Sequence, residues 1–152
     1  MKKICFIAST GGHFEQLMML NPLIEKYDSF IVTERTSYSV IEKNKKTYYL
    51  TQVNRNEKLA IIKMIINILL SIKIFIEEKP AIVITTGVLA TIPMCLIAKI
   101  FRRKIIYIES FAKINSPTLT GKLIYKFADQ FYVQWKEMLE IYPKAIYKGG
   151  IY

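Results

Sequence analysis

The sequence contains little of what builds metal centres and disulfide frameworks. It has one histidine, His13, and two cysteines, Cys5 and Cys95, which lie far apart in apolar runs. A closed structural metal site needs about four such ligands, so one built from histidine and cysteine is excluded. Isolated cysteines within apolar runs are typical of reduced core residues in a cytoplasmic protein. We therefore expect no metal ion, no other cofactor and no disulfide bond.

Acidic residues are also scarce. The chain has 12 Asp and Glu against 22 Lys and Arg, and its formal charge is +10 at pH 7. Such a balance favours an anionic partner, which can be nucleic acid, an anionic membrane surface or a phosphorylated substrate. Nucleic acid has the least support, because the lysines are scattered or flank an apolar helix and the aromatic residues show no stacking pattern of the RNA-binding type. Hydrophobic residues make up 52% of the chain, which indicates that apolar surface meets a membrane or a partner.

Glycine occurs at six positions, which form no complete phosphate-binding motif. Neither G-x-G-x-x-G nor G-x-x-x-x-G-K-[ST] occurs, so binding of a dinucleotide or ATP has little support. Short apolar runs alternate instead with helical patterns, and the runs are continuous rather than alternating in polarity. This pattern is typical of a parallel sheet covered on both faces. The sequence predicts a single α/β domain over residues 1–152, with a Rossmann-like parallel sheet and helices on both faces.

The helices between the strands are predicted from apolar spacing and from helix breakers. Residues 14–26 are predicted as one helix, residues 38–43 as a short helix and residues 56–79 as a long helix that Pro80 ends. Glycines fall directly after the first and fourth predicted strands, where the chain turns into a helix.

Polar residues follow three of the predicted strands at the point where each ends. They lie at positions 9–13 after the first strand, 85–87 after the fourth and 109–110 after the fifth. Because ligands of open parallel sheets bind outside the carboxyl ends of the strands, we expect these loops to converge on one rim. The expected substrate-binding residues of that rim are Thr10, Gly11, Gly12, Thr86, Gly87 and Ser110.

His13 and Glu109 are the candidate catalytic residues. A neutral imidazole at the start of a helix can take a proton from a hydroxyl group, and histidine titrates near neutral pH. A carboxylate that directly follows a buried strand can emerge into a cleft, where it orients a sugar hydroxyl or acts as a base. Both also have structural interpretations, His13 as a capping or packing residue and Glu109 as a cap for the next segment. The bare Gly11-Gly12 turn is likewise compatible with a plain strand-to-helix connection.

The apolar run at residues 59–76 falls short of a membrane span. A spanning helix needs about 20 apolar residues, and this run contains Lys63 and Lys73. Lys63, Asn67 and Ser71 recur every four residues, which predicts one narrow polar stripe. We expect an in-plane helix, partly packed on the sheet and partly inserted into the bilayer surface, with a fully buried core helix as the alternative. The expected membrane residues are Lys58, Lys63, Ile66, Leu70, Lys73 and Phe75.

Three stretches of the sequence resemble a known family. STGGHFEQL, TTGVLATIPMCLIAKI and IYIESFAKINSPTLTGKLIYKFADQFYVQW are similar to the membrane-recruiting, acceptor-side subunit of split GT-B glycosyltransferases. That family includes the anchoring subunit of the eukaryotic UDP-GlcNAc transferase of dolichol-linked oligosaccharide synthesis. It also includes bacterial PssD- or CpsF-like proteins of capsule and exopolysaccharide synthesis. The likeness runs nearly from end to end, and a weaker one exists to the acceptor-side half of MurG.

The resemblance implies one half of a GT-B enzyme, held peripherally at the cytoplasmic face of the cell membrane. Such a half binds a lipid-linked acceptor, here an undecaprenyl-diphosphate-linked sugar, while a separate subunit equivalent to the C-terminal half binds the UDP-sugar. The analogy with MurG puts His13 at the acceptor hydroxyl and Gly11 and Gly12 in the pocket. Without its partner, the chain is expected to have little or no hexosyl transfer activity. The alternative is a non-catalytic membrane scaffold that only stabilises and localises the catalytic partner.

Overall fold

The computed structural model describes residues 2–35, 45–54 and 57–152. The predicted helix at 38–43 and the predicted start of the long helix at Asn56 lie outside these residues. The strands are β1 (Ile4–Ala8), β2 (Ser29–Glu34), β3 (Thr47–Leu50), β4 (Ile82–Gly87), β5 (Lys104–Ile108), β6 (Gln130–Val133) and β7 (Ile146–Tyr147). The helices are α1 (Gly12–Met18), α2 (Asn21–Lys26), α3 (Ala60–Glu78), α4 (Ile92–Ile100), α5 (Leu119–Ile124) and α6 (Met138–Ile141).

All seven strands pair in parallel, in the order β3-β2-β1-β4-β5-β6-β7. The chain starts in the middle of the sheet, moves outward through β2 and β3, and returns through α3 to β4 on the other side of β1. The order therefore reverses between β1 and β4, and at such a switch point the loops beyond the strands separate and leave a crevice. The predicted Rossmann-like parallel sheet is confirmed.

Two apolar layers cover the sheet. One layer packs residues of α3, α4, α5 and α6 against the strands, and the other packs residues of α1 and α2 against the opposite face. Cys5 and Cys95 are free and fully buried in the first layer. Burial raises the pKa of the Cys95 thiol to about 12, so both cysteines act as small core residues.

The region predicted as one helix over residues 14–26 is two helices. Helix α1 ends at Met18 and α2 begins at Asn21, with Pro22 in its first turn. Proline has no backbone N–H to continue a preceding helix, but its fixed φ suits the first turn of a new one. The prediction of an uninterrupted helix was therefore wrong at Pro22.

Helix α3 turns its polar stripe toward the sheet. Asn67 and Ser71 are fully buried. The Asn67 side chain accepts a hydrogen bond from the Thr51 backbone N–H and donates one to the Thr51 carbonyl, both at 2.8 Å. The predicted alternative of a fully buried helix is wrong, because the opposite face exposes large apolar side chains. These are Leu59, just before the helix, and Ile61, Ile62, Ile65, Ile66, Ile68, Leu69, Ile72 and Ile76.

The C-terminal end of α3 is fixed by a buried carboxylate. Glu78 accepts hydrogen bonds from Lys3 at 2.8 Å and Lys46 at 2.7 Å, and from the Tyr48 hydroxyl. Burial opposes ionisation of Glu78, but the hydrogen bonds from Lys3, Lys46 and Tyr48 outweigh it and lower its pKa to about 2. This contact joins α3 to the residues that precede β1 and β3.

We expect Asn67→Ala to lower the free energy of unfolding by about 1–3 kcal/mol, because it leaves the half-buried backbone groups of Thr51 without their Asn67 partner. Ile65→Ala is the matched control on the same helix. Its side chain is 53% exposed, so its effect should lie within about 0.5 kcal/mol. Urea denaturation of both variants measures the difference. A larger loss for Ile65→Ala would mean that the apolar face, and not the polar stripe, is the packed one.

Candidate functional site

A cleft of about 220 Å³ opens at the carboxyl ends of β4 and β5. Its wall combines the first turn of α1, the end of β4 and the segment that leads into α5. The lining residues are His13, Gly87, Val88, Tyr107, Lys113, Pro117, Thr118, Leu119 and Thr120. Of the predicted site residues, the structure thus brings His13 and Gly87 together in one cleft.

His13 is held in one orientation by reciprocal hydrogen bonds with Thr86. Its Nδ1 lies 2.7 Å from the Thr86 carbonyl oxygen, and the Thr86 hydroxyl donates to the His13 carbonyl at 2.7 Å. Because a carbonyl oxygen only accepts, we assign the ring proton to Nδ1. In the neutral ring, Nε2 is then the nitrogen with a free lone pair. A neutral histidine in this tautomer has the chemistry needed to receive a proton from a hydroxyl group.

Gly87 leaves space for the Tyr107 hydroxyl. Its φ is +95°, and a Cβ at this position would lie 3.2 Å from the Tyr107 hydroxyl and 3.7 Å from His13 Nδ1. Tyr107 is fully buried, and burial together with the nearby Glu109 charge raises its pKa well above the usual value. Tyr107 therefore keeps its proton, and a glycine is required at position 87 for both backbone and space.

Glu109 points inward instead of into the cleft, so the expectation of a carboxylate emerging there was wrong. It is 1% exposed. Its carboxylate accepts hydrogen bonds from the Thr118 hydroxyl and the Ser110 N–H, both at 2.9 Å, and from the Tyr142 hydroxyl at 3.1 Å. Thr118 in turn caps α5 by accepting from the Gly121 N–H at 2.8 Å. Gly121 has no side chain because a Cβ there would collide with the Glu109 carboxylate.

Two buried glutamines support the same region. Gln16 donates to the Glu109 carbonyl and accepts from the Phe111 N–H, both at 3.1 Å. Gln134 donates to the Glu109 carbonyl at 2.9 Å and accepts from the Ile151 N–H at 3.1 Å. The sequence interpretation missed both residues. The only feature of the sequence that could have indicated a role for them is an amide side chain at an inward-facing position. Gln16 lies on α1, and Gln134 follows β6.

The other predicted binding residues lie outside the cleft lining. The Thr10 N–H and hydroxyl point to the Glu34 carboxylate, at 3.4 and 3.5 Å. Gly11 and Gly12 are exposed, and a Cβ on either would meet no atom within 4 Å. The Ser110 carbonyl accepts from the Lys113 N–H at 3.0 Å. The glycine turn therefore lies open to solvent beside His13.

Sequence reasoning also missed part of the cleft wall. Lys113, Pro117 and Thr118 belong to the loop that starts at Glu109 and Ser110. The rule that ligands bind beyond strand ends could have been extended along this whole loop. In the part of the chain that the structure describes, no three His, Cys, Asp or Glu side chains are arranged to hold a metal ion.

The residues predicted to contact a membrane divide into two groups. Lys58, Ile66 and Lys73 are exposed. Phe75 is 4% exposed and packs against Phe101 at 5.1 Å between ring centroids, so its prediction as a membrane contact was wrong. Leu70 packs partly against the core, and Lys63 forms an ion pair with Glu57 at 2.7 Å. Within residues 2–35, 45–54 and 57–152, no helix has the length and apolarity to cross a bilayer.

Alanine substitution at Gly87 and at Gly12 should have opposite effects on stability, because the two glycines have different surroundings. We expect Gly87→Ala to destabilise the fold by about 1–3 kcal/mol, because it combines a positive φ with the contact to Tyr107. Gly12→Ala should leave the melting temperature within a degree or two of wild type, on the order expected for an unhindered surface change. Thermal unfolding followed by circular dichroism compares them. Equal melting temperatures would contradict the described packing around Gly87.

Solved structures with a similar fold are longer proteins, and this chain matches less than half of each. MurG from Acinetobacter baumannii matches with a TM-score of 0.73 and 15% identity, over 90% of this chain and 43% of that one. UDP-GlcNAc 2-epimerase from Methanocaldococcus jannaschii matches with a TM-score of 0.73 and 15% identity, over 97% of this chain and 45% of that one. The chain thus spans less than half the length of these structures, and the likeness shows the fold alone.

Relatives with closer sequences are transferase subunits. The UDP-N-acetylglucosamine transferase subunit ALG14 of Yarrowia lipolytica is 28% identical over 97% of this chain and 80% of its own length. The human subunit of the same name is 23% identical over 97% of this chain and 82% of its own length. The family described as "Oligosaccharide biosynthesis protein Alg14 like" matches residues 4–151. The resemblance to the eukaryotic subunit is confirmed, and the chain belongs to the Alg14-like family of oligosaccharide biosynthesis proteins.

Proposed function

We propose that this chain is the acceptor-side subunit of a two-component UDP-sugar-dependent glycosyltransferase, with His13 as the general base. The observation that carries the proposal is the hydrogen bond of His13 Nδ1 to the Thr86 carbonyl, which leaves Nε2 to accept a proton in the cleft. The names of the relatives, which are transferase subunits, support the same reaction class.

The transfer is a direct displacement. The acceptor hydroxyl oxygen forms a bond to the anomeric carbon of the UDP-sugar while the bond from that carbon to UDP breaks. The hydroxyl proton moves to His13 Nε2, and UDP leaves with the bonding electron pair. Attack from the face opposite UDP inverts the anomeric configuration. Most of the acceleration comes from holding donor and acceptor in line.

The donor site belongs to a second chain in this proposal. The fold corresponds to less than half of the similar solved enzymes, and the relatives are called subunits. A donor-binding partner would close over the open side of the His13 cleft, so the reacting groups would meet between two proteins. The chain alone would then bind the acceptor but transfer little sugar.

The exposed face of α3 would hold the protein at the membrane surface. Helix α3 packs beside α4, which exposes Leu96 and Ile100, and Phe101 directly after α4 is exposed as well. Exposed basic residues flank this surface at Lys58, Lys73, Lys79, Lys99, Arg102, Arg103 and Lys104. An apolar face bordered by cations is the pattern of an interfacial helix on anionic lipid. The helix would lie in the plane of the bilayer surface, on its cytoplasmic side.

The setting we propose is capsule or exopolysaccharide assembly on undecaprenyl diphosphate. It is supported by the resemblance of residues 106–135 to PssD- and CpsF-like proteins. The acceptor would be a lipid-linked sugar with a free hydroxyl group. A direct comparison of undecaprenyl- and dolichyl-linked acceptors in one assay tests this setting.

His13→Gln, assayed in the complex with the donor-binding subunit, should lower kcat by about 100- to 10,000-fold, because the acceptor hydroxyl loses its base. KM for the acceptor should change much less. Glu15→Gln is the matched control, since Glu15 lies exposed on the same helix and outside the cleft lining. Unchanged turnover of the His13 variant would instead favour the non-catalytic scaffold.

Replacing Ile61, Ile65 and Leu69 together with serine should weaken binding to phosphatidylglycerol vesicles at least about tenfold, because three exposed apolar side chains are lost. The matched control replaces Met19, Leu23 and Tyr27 with serine. These three side chains are exposed on the side of the sheet that α1 and α2 cover. Sedimentation with vesicles measures both variants. Loss of binding in the control alone would move the membrane surface to the other side of the sheet.

A further inference from the structure

The loop at residues 110–118 forms part of the cleft wall that also contains His13. Lys113, Pro117 and Thr118 of this loop line the cleft. We refer to it as the 110–118 loop. It connects β5 to α5. The sequence predicted only its first residue, Ser110, as part of the site, and not Lys113, Pro117 or Thr118.

Buried polar groups fix both ends of the 110–118 loop. At its start, the Phe111 N–H donates to buried Gln16 at 3.1 Å, and the Phe111 carbonyl accepts from the Trp135 indole N–H at 2.6 Å. At its end, the Thr118 hydroxyl donates to Glu109 at 2.9 Å. These contacts hold the loop before any ligand is present, which reduces the entropy lost when a ligand binds.

Charge and polarity at the cleft point to a particular kind of ligand. Lys113 is the one lysine among the described residues that line the cleft, and no aspartate or glutamate is among them. No ion pair among the described residues involves Lys113. Leu119 lines the same cleft and is 61% exposed, and Ile114 next to Lys113 is 48% exposed. A cation beside exposed apolar side chains suits an anionic group that continues into an apolar chain.

We propose that the Lys113 ammonium group binds the phosphate that joins the acceptor sugar to its lipid, and that Glu109 is a positioning residue which holds the 110–118 loop for this contact. The proposal rests on the acceptor-side role given above and adds the residue that recognises the charged part of the acceptor. Lysine offers a point charge with three donors, which suits a phosphate that approaches from the bilayer. Leu119 then contacts the first part of the lipid chain.

Farnesyl diphosphate tests the contact without any sugar transfer. Calorimetric titration of the full chain with this probe should show that Lys113→Gln weakens binding by about 10- to 100-fold, the cost of losing a charged hydrogen-bond partner. Lys122→Gln is the matched control, because Lys122 is exposed on α5 and outside the cleft lining. Farnesol, which has no phosphate, should bind both variants alike. Inorganic pyrophosphate should bind more weakly than farnesyl diphosphate, because it lacks the lipid chain that Leu119 contacts in this proposal.

Equal farnesyl diphosphate affinities for wild type and Lys113→Gln would overturn the proposal. That result would leave the catalytic role of His13 untouched, because His13 is tested by kcat in the complex. Conversely, full turnover of the His13 variant together with weakened binding by Lys113→Gln would leave an anionic-lipid site on a non-catalytic subunit.

Glu109→Gln separates positioning from simple electrostatics. Removing a negative charge near the cleft would by itself strengthen the binding of an anion. The positioning role predicts the opposite sign, because the amide cannot accept all the hydrogen bonds that the carboxylate accepts from Ser110, Thr118 and Tyr142. Weaker farnesyl diphosphate binding with unchanged farnesol binding supports the proposal. Stronger binding would contradict the role given to Glu109.

Discussion

The reciprocal hydrogen bonds between His13 and Thr86 are the constraint on which the cleft depends. They join the start of α1 to the end of β4 across the point where the strand order reverses. The Thr86 carbonyl fixes which ring nitrogen of His13 faces away from it, Nε2. A backbone carbonyl does not titrate, so this orientation does not depend on the protonation of the partner. The orientation of His13 therefore follows from the end of β4, and Gly87 is needed because its φ is positive and a Cβ would crowd the Tyr107 hydroxyl.

Helix α3 shows that burying polar groups can decide which way a mostly apolar helix faces. The side of α3 that packs on the sheet carries Asn67, which bonds both backbone groups of Thr51, and Ser71, whose hydroxyl has no hydrogen-bond partner among the described residues. A buried backbone group without a partner lowers the free energy of unfolding. An exposed apolar side chain does not, because it is exposed in the unfolded chain as well. The apolar face of α3 is left outward, where the proposed function assigns it to lipid.

Much of the fold could be predicted from the sequence, because continuous β-branched runs and the helix breakers are local signals. The rim positions of His13 and Gly87 followed from the same pattern. The spacing of Asn67 and Ser71 predicted a stripe but not its direction, since that depends on Thr51, far away in sequence. Glu109 was placed correctly at a strand end, yet its inward direction depends on Thr118, which caps α5, and on Tyr142. Such long-range contacts have no signal in a single sequence.

In the proposed function, the cleft and the α3 surface would solve one physical problem together. An open cleft of about 220 Å³ would give modest intrinsic affinity for a ligand. Confining the protein and a lipid-linked ligand to the same bilayer surface makes their encounter nearly intramolecular, which raises the effective ligand concentration without any further contact. A small, open site would then be sufficient for the proposed acceptor, and the proposed donor-binding chain would supply the remaining binding surface.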